Sequence, residues 1–165
     1  MIELSDDAQL RLFAAEPRLA SAVAEAAAAL DKLLLQFIRE GRCRTALTAT
    51  VGDGRWLAVA WEGPPLSGCS HDKLAQVIAA HEQRSEAVLL LPPPIAVGPL
   101  GAIRLTHRGE LRQWLAAGIC TADTPVWTWQ VTTLGAWRRQ PQSLAASFLA
   151  PLLASPAATI SKGAP

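Results

Sequence analysis

The chain holds 165 residues, half of them hydrophobic and 18% charged, which suffices for a packed core and argues against wholesale disorder. Its 15 basic residues (12 Arg, 3 Lys) against 14 acidic ones leave a net charge of +1, a balance that excludes nucleic-acid binding through bulk charge. Asp31, Lys32 and Arg39 interrupt the most apolar stretch, so no run reaches the roughly 20 residues of a membrane span; with the acidic start Met1-Ile2-Glu3-Leu4-Ser5-Asp6-Asp7, this predicts a cytoplasmic protein without a signal peptide.

Residues 9–14 alternate as a first strand. Leu19, Val23, Ala26, Leu30, Leu33, Leu34 and Phe37 then recur on one face of a long helix over residues 17–39, with Glu16-Pro17 suited to its first turn and Gly41 to its end. Within it, Ala26-Ala27-Ala28-Ala29 favours helix and allows close packing on a sheet. Residues 45–51 and 55–61 read as strands joined by Gly52-Asp53-Gly54, the second apolar on both faces and therefore central. A second helix carries Leu74, Val77, Ile78 and His81 on one face, and residues 87–91 form an apolar strand stopped by Pro92-Pro93-Pro94. Residues 102–105 make a short strand, and Thr106 caps a helix carrying Leu111, Trp114 and Leu115 that ends near Gly118. Residues 126–131 are the last clear strand. Leu144, Phe148 and Leu152 mark a terminal helix that Pro151 kinks or ends.

This order predicts a single α+β domain over residues 1–154, a mostly antiparallel sheet with helices packed on one face. It opens with a ferredoxin-like βαββαβ unit and closes with a C-terminal extension. Residues 155–165 are expected to be a flexible tail.

The three cysteines, Cys43, Cys69 and Cys120, show no CxxC or CxxH spacing, and Cys69-x-His71 is the only close Cys/His pair. Nothing here calls for a disulfide framework, a metal or another cofactor. The stretch Ser67-Gly68-Cys69-Ser70-His71-Asp72-Lys73, set in this order of elements, resembles a family of small bacterial proteins often labelled "ABC transporter ATPase" in genomes. Members carry an aromatic-rich first strand, a long helix, a hairpin, a Gly-Cys-Ser-x-Asp turn opening a helix, and a later capped helix. The likeness runs to about Trp137; it implies the α+β fold and assigns no activity. The chain departs from the pattern at His71, usually apolar, at Gly109, usually acidic, in the segment Trp127-Thr128-Trp129-Gln130, and at the C-terminal end.

The ATPase label fails on its residues. Gly63-Pro64-Pro65-Leu66-Ser67-Gly68-Cys69-Ser70 has P-loop glycine spacing, but Cys69 stands where the phosphate-binding lysine is required. Two prolines also remove amide donors from the phosphate cradle. The chain is not a P-loop ATPase.

Gly68-Cys69-Ser70 is expected at the start of the second helix, where free amides and the helix dipole attract anions and favour a thiolate. Ser70 or Asp72 would cap that helix, and His71 would take the thiol proton if its ring pointed back. Asp72 opposes a thiolate, and the bland alternative makes Cys69 a small buried hydrophobe. Trp127 and Trp129 alternate onto one face of the last strand, either as core cover or as a stacking platform or partner interface.

The leading expectation is a non-catalytic binding module for a small anionic ligand or a protein partner. Its site would comprise Ser67, Gly68, Cys69, Ser70, Asp72 and Lys73, with Trp127, Trp129 and Gln130. The alternative is a cysteine-dependent enzyme (thiol hydrolase, transferase or redox protein) with Cys69 as nucleophile and His71 as base.

Overall fold

A computed structural model describes residues 3–15, 20–85 and 95–154. The chain is an α+β protein whose described strands pair antiparallel throughout. It forms two compact units, Met1–Pro94 with Thr128–Gln140 and Ile95–Trp127 with Pro141–Pro165. Among the described residues, no helix is long and apolar enough to cross a membrane. The fourth strand of the expected ferredoxin-like start (residues 87–91), the helix-opening Glu16-Pro17 and the expected tail lie outside the described residues.

The first unit is built on strands β1 (Gln9–Ala14), β2 (Thr45–Val51) and β3 (Trp56–Glu62), in the order β1-β3-β2. The unbroken apolar run of β3 takes the middle position, where Trp56 to Trp61 are all buried. Helices α1 (Ala20–Arg39) and α2 (Gly68–Ser85) pack on the face carrying Leu57, Val59 and Trp61, through Leu30, Leu34, Phe37, Leu74 and Ile78. Gly41 ends α1 in the left-handed region (φ +69°), with its amide on Ile38 and the Arg42 amide on Phe37. These two bonds satisfy carbonyls that the helix end would leave open. Alternation turns Trp56 to the opposite face, where the Trp137 ring meets it edge-on at 5.2 Å. Trp137 belongs to a short helix, α4 (Leu134–Arg138), docked by amides of Leu134 and Gly135 on the Ala8 and Asp6 carbonyls and by an Arg138–Asp6 ion pair.

The second unit holds β4 (Ile95–Val97), β5 (Arg104–Thr106), β6 (Pro125–Trp127) and β7 (Gln142–Ser143), ordered β5-β4-β6-β7, with helix α3 (Arg108–Ala116). Its core gathers Val97, Leu111, Val126, Leu144 and Leu149. The cap of α3 corrects the expectation: His107, not Thr106, precedes the helix, and its Nδ1 accepts from the Glu110 amide at 3.1 Å. Thr106 donates its hydroxyl to the Glu110 carboxylate at 2.7 Å instead. The strand expected over residues 126–131 is also shorter, with β6 ending at Trp127. The expected terminal helix is two 3₁₀ turns, Leu144–Ala146 and Ala150–Leu152. Between them Ser147 is extended; its hydroxyl donates to the Leu144 carbonyl at 2.8 Å and accepts from the Leu149 amide, a local alternative to helical bonding.

Candidate functional site

The start of α2 lies in the first unit, and its local bonding differs from the expected capping. Ser67, one residue ahead of the helix, is the cap: its Oγ accepts from the Ser70 amide at 3.3 Å, and its carbonyl accepts from the Ser70 and His71 amides. Ser70 is not a cap; its hydroxyl is buried, 3.1 Å from Ser67 Oγ, and accepts from Arg42 Nη1 at 2.9 Å. Arg42 reaches this position from the turn after α1, lying over the Phe37 ring and paired with Glu40 at 2.5 Å. Ahead of these bonds, the Gly68 and Cys69 amides make no backbone hydrogen bond within the described residues. A Cβ on Gly68 would meet nothing within 4 Å, so this tip of the helix is open.

Cys69 is exposed, which corrects the reading of it as a buried packing residue. Cys43 and Cys120 are the buried ones, and burial pushes both thiols up. His71 is half-buried. Its Nδ1 sits 3.1 Å from Arg11 Nη1, which also donates to the His71 carbonyl at 3.1 Å, and its ring meets Trp61 edge-on at 5.8 Å. A guanidinium can only donate. Nδ1 is therefore the acceptor, and the neutral ring carries its proton on Nε2. Burial first, and the Arg11 charge second, hold the His71 pKa below its ordinary value, with Asp72 acting in the opposite sense. No hydrogen bond joins His71 to Cys69 within the described residues, as expected for side chains two apart on a helix.

Lys73 is half-buried and Asp72 exposed. Asp72 places a negative charge near Arg11 that an incoming anion would meet as repulsion. Trp127 belongs to the second unit, where it is buried and donates its indole N–H to the Gly98 carbonyl at 3.0 Å. Trp129 is half-buried and Gln130 exposed, both in the returning segment of the first unit.

Arg11 and Arg42 are the site residues that sequence reasoning missed. The only trace they leave in the sequence is the preference for arginine over lysine, which suits fixed contacts. Both guanidinium groups converge on consecutive residues of the first helical turn. No family model, curated protein or solved structure matches the chain, so the reading of this site rests on its geometry.

Proposed function

We propose that the chain is a non-catalytic binding module that takes a small anionic ligand at the start of α2. The observation that carries this reading is the open helix tip. Among the described residues, the amides of Gly68 and Cys69 stand without backbone partners, beside the Ser67 hydroxyl and the Arg42 guanidinium held on Ser70. Such a tip combines free N–H donors with the positive end of the helix dipole, and a nearby guanidinium adds a forked donor suited to carboxylate or phosphate. A carboxylate on a protein partner offers the same chemistry and is the second form of this proposal.

The test is thermal unfolding with inorganic phosphate, sulfate, citrate and a nucleoside triphosphate, each raised to about 100 times any measured Kd, where binding adds roughly 2.7 kcal/mol. At least one should raise Tm progressively with the logarithm of its concentration, and Arg42→Gln should remove that rise. A Tm unmoved by the whole panel overturns the small-ligand form.

The exposure of Cys69 favours one other reading, a cysteine-dependent enzyme with His71 as base. Against it, the Nδ1 lone pair of His71 already accepts from Arg11. Cys69→Ser separates the two, since a binding module keeps its ligand and a thiol enzyme loses turnover. Alkylation followed by mass spectrometry should label Cys69 in the folded chain, and Cys43 and Cys120 only after unfolding. Labelling of all three at one rate would contradict the burial pattern.

A further inference from the structure

The two edges of the first unit's sheet are finished differently. β1 takes the returning segment on its outer side, where the Leu10 amide donates to the Thr132 carbonyl at 2.8 Å and Gln9 bridges Thr133. β2 lies at the opposite edge, and among the described residues it pairs with β3 alone. In an antiparallel ladder each residue turns its amide and carbonyl to one neighbour, and successive residues alternate. The Ala15 amide bonds the Arg55 carbonyl, so Leu57, Val59 and Trp61 turn toward β1 as Arg55 does, and Trp56, Ala58 and Ala60 turn toward β2. Their partners Val51, Ala49 and Leu47 face β3 in return. Ala46, Thr48 and Thr50 therefore point their amides and carbonyls out of the sheet, where no described backbone group bonds them. Edges of this kind are normally guarded by charge, proline or a covering element. The seven residues of β2 include no charge and no proline, and their β-branched side chains suit another strand. Pairing with Val59 puts Thr48 on the helix-covered face, where it lines a cleft of about 580 Å3 between β2 and Ala24, Ala27 and Ala28 of α1. There its Oγ1 is buried without a hydrogen-bond partner among the described residues.

We propose that this edge is a self-association surface: β2 of a second copy pairs with it antiparallel, centred on Thr48, and joins the two sheets into one. A second copy is the occupant because the strand is complementary to itself, as a two-fold interface requires. With Thr48 on the dyad, Ala46 of one copy faces Thr50 of the other, and each outward amide meets an outward carbonyl. The two Thr48 side chains come opposite each other, within reach of a Thr–Thr hydrogen bond that gives the orphaned hydroxyls a partner. The charges at the strand ends agree. Arg44 precedes the strand and Asp53 follows it, so antiparallel copies set unlike charges side by side at both ends, where parallel copies would set like charges together. Only the sign of the Asp53 charge enters here, since Asp53 keeps its partner within its own chain. The dyad also makes the two α1 helices antiparallel. It thereby brings exposed Leu35, near the end of α1, toward the alanine end of the other copy's cleft.

The experiment is sedimentation velocity of the full chain from about 1 μM to about 1 mM, the span of moderate to weak association, with hydrogen exchange read by mass spectrometry at both ends of the range. The mass should rise toward twice the 17.5 kDa of one chain, and the peptide over residues 45–51 should exchange more slowly as it does. Thr50→Pro removes an amide that the β2–β3 ladder does not use, and it should leave a folded monomer throughout the range. If that variant fails to fold, Thr50→Lys tests the same edge by charge. Thr48→Val should stay folded and weaken association by up to about tenfold, as loss of one buried hydrogen bond implies. A chain that is monomeric at every concentration overturns the proposal; protection of residues 45–51 at every dilution would then mean that another segment of the chain holds the edge. A dimer that survives both Thr50 substitutions in folded protein overturns it as well. So does a dimer whose residues 45–51 exchange as fast as in the monomer, or one whose affinity Thr48→Val leaves unchanged.

Discussion

The His71 ring couples the α2 start to pH. Its folded pKa is lowered from 6.5 by burial and by Arg11. Well above 6.5 the ring is neutral in both folded and unfolded chains, and the Arg11 hydrogen bond is intact. As pH falls through that value, the unfolded chain takes up a proton that the folded ring resists. Folding stability is therefore lost below the unfolded pKa, down to the lowered folded one. His71→Gln removes this dependence while keeping an acceptor for Arg11. Urea unfolding at about pH 5 and about pH 7.5 should show a larger stability loss on acidification in the native sequence than in the variant. An equal loss in both would mean that His71 is not the group responsible. The roles of Ser67 and Ser70 are also settled by single contacts. The sequence suggests Ser70 or Asp72 as the cap, but Ser67 takes that role and the Ser70 hydroxyl accepts from Arg42 instead.

The β2–β3 hairpin shows how a turn and a core side chain constrain each other. Gly52, Asp53 and Gly54 all take positive φ (58°, 57° and 73°), the run of left-handed residues that the Gly-Asp-Gly signal announces. Alanine at either glycine costs about 1 kcal/mol for backbone strain. At Gly54 a Cβ meets nothing within 4 Å, whereas at Gly52 it would fall 2.3 Å from the ring of Trp56. Trp56 is fully buried and held against Trp137. Gly52→Ala should thus lose an additional ~1–3 kcal/mol over Gly54→Ala, as overpacked cores do. Chemical denaturation midpoints of the two variants measure it. Similar losses would mean that the ring yields without cost. Helix α4 is, with β4 and β7, one of the elements that sequence patterning left out. Five residues are too few for a periodic signal, and its anchors, Asp6 and Ala8, lie at the far end of the chain.

At the scale of the whole molecule, packing is distributed unevenly between the two units. The first has a central seven-residue strand buried on both faces beneath two long helices, while the second relies on strands of two or three residues. Amides protected by burial and by long ladders open only with larger unfolding events. Hydrogen exchange read by mass spectrometry should find Leu57 to Trp61 slowest, with β6 and β7 exchanging earlier. Uniform protection across both sheets would rule this gradient out.

Local pattern alone was enough for β1, β2, β3, the body of α1 and α2, and the stop signals at Gly41 and Gly118. Period-2 and period-3.6 burial, and glycine at positive φ, leave their mark within a few neighbouring residues. It also located Cys69 in the opening turn of a helix. It did not reach the functional surroundings of that turn, because these come from pairing across the chain. Arg42 meets Ser70 across 28 residues and Arg11 meets His71 across 60. Arg11 is on the helix-covered face only because β1 pairs it with Val59. The cleft has the same origin. Four consecutive alanines predict a helix that can lie close to a sheet, but whether the helix closes on β2 or leaves room beside it depends on how Leu30, Leu34 and Phe37 seat in the core. That seating is a property of three-dimensional packing, with no one-dimensional signature.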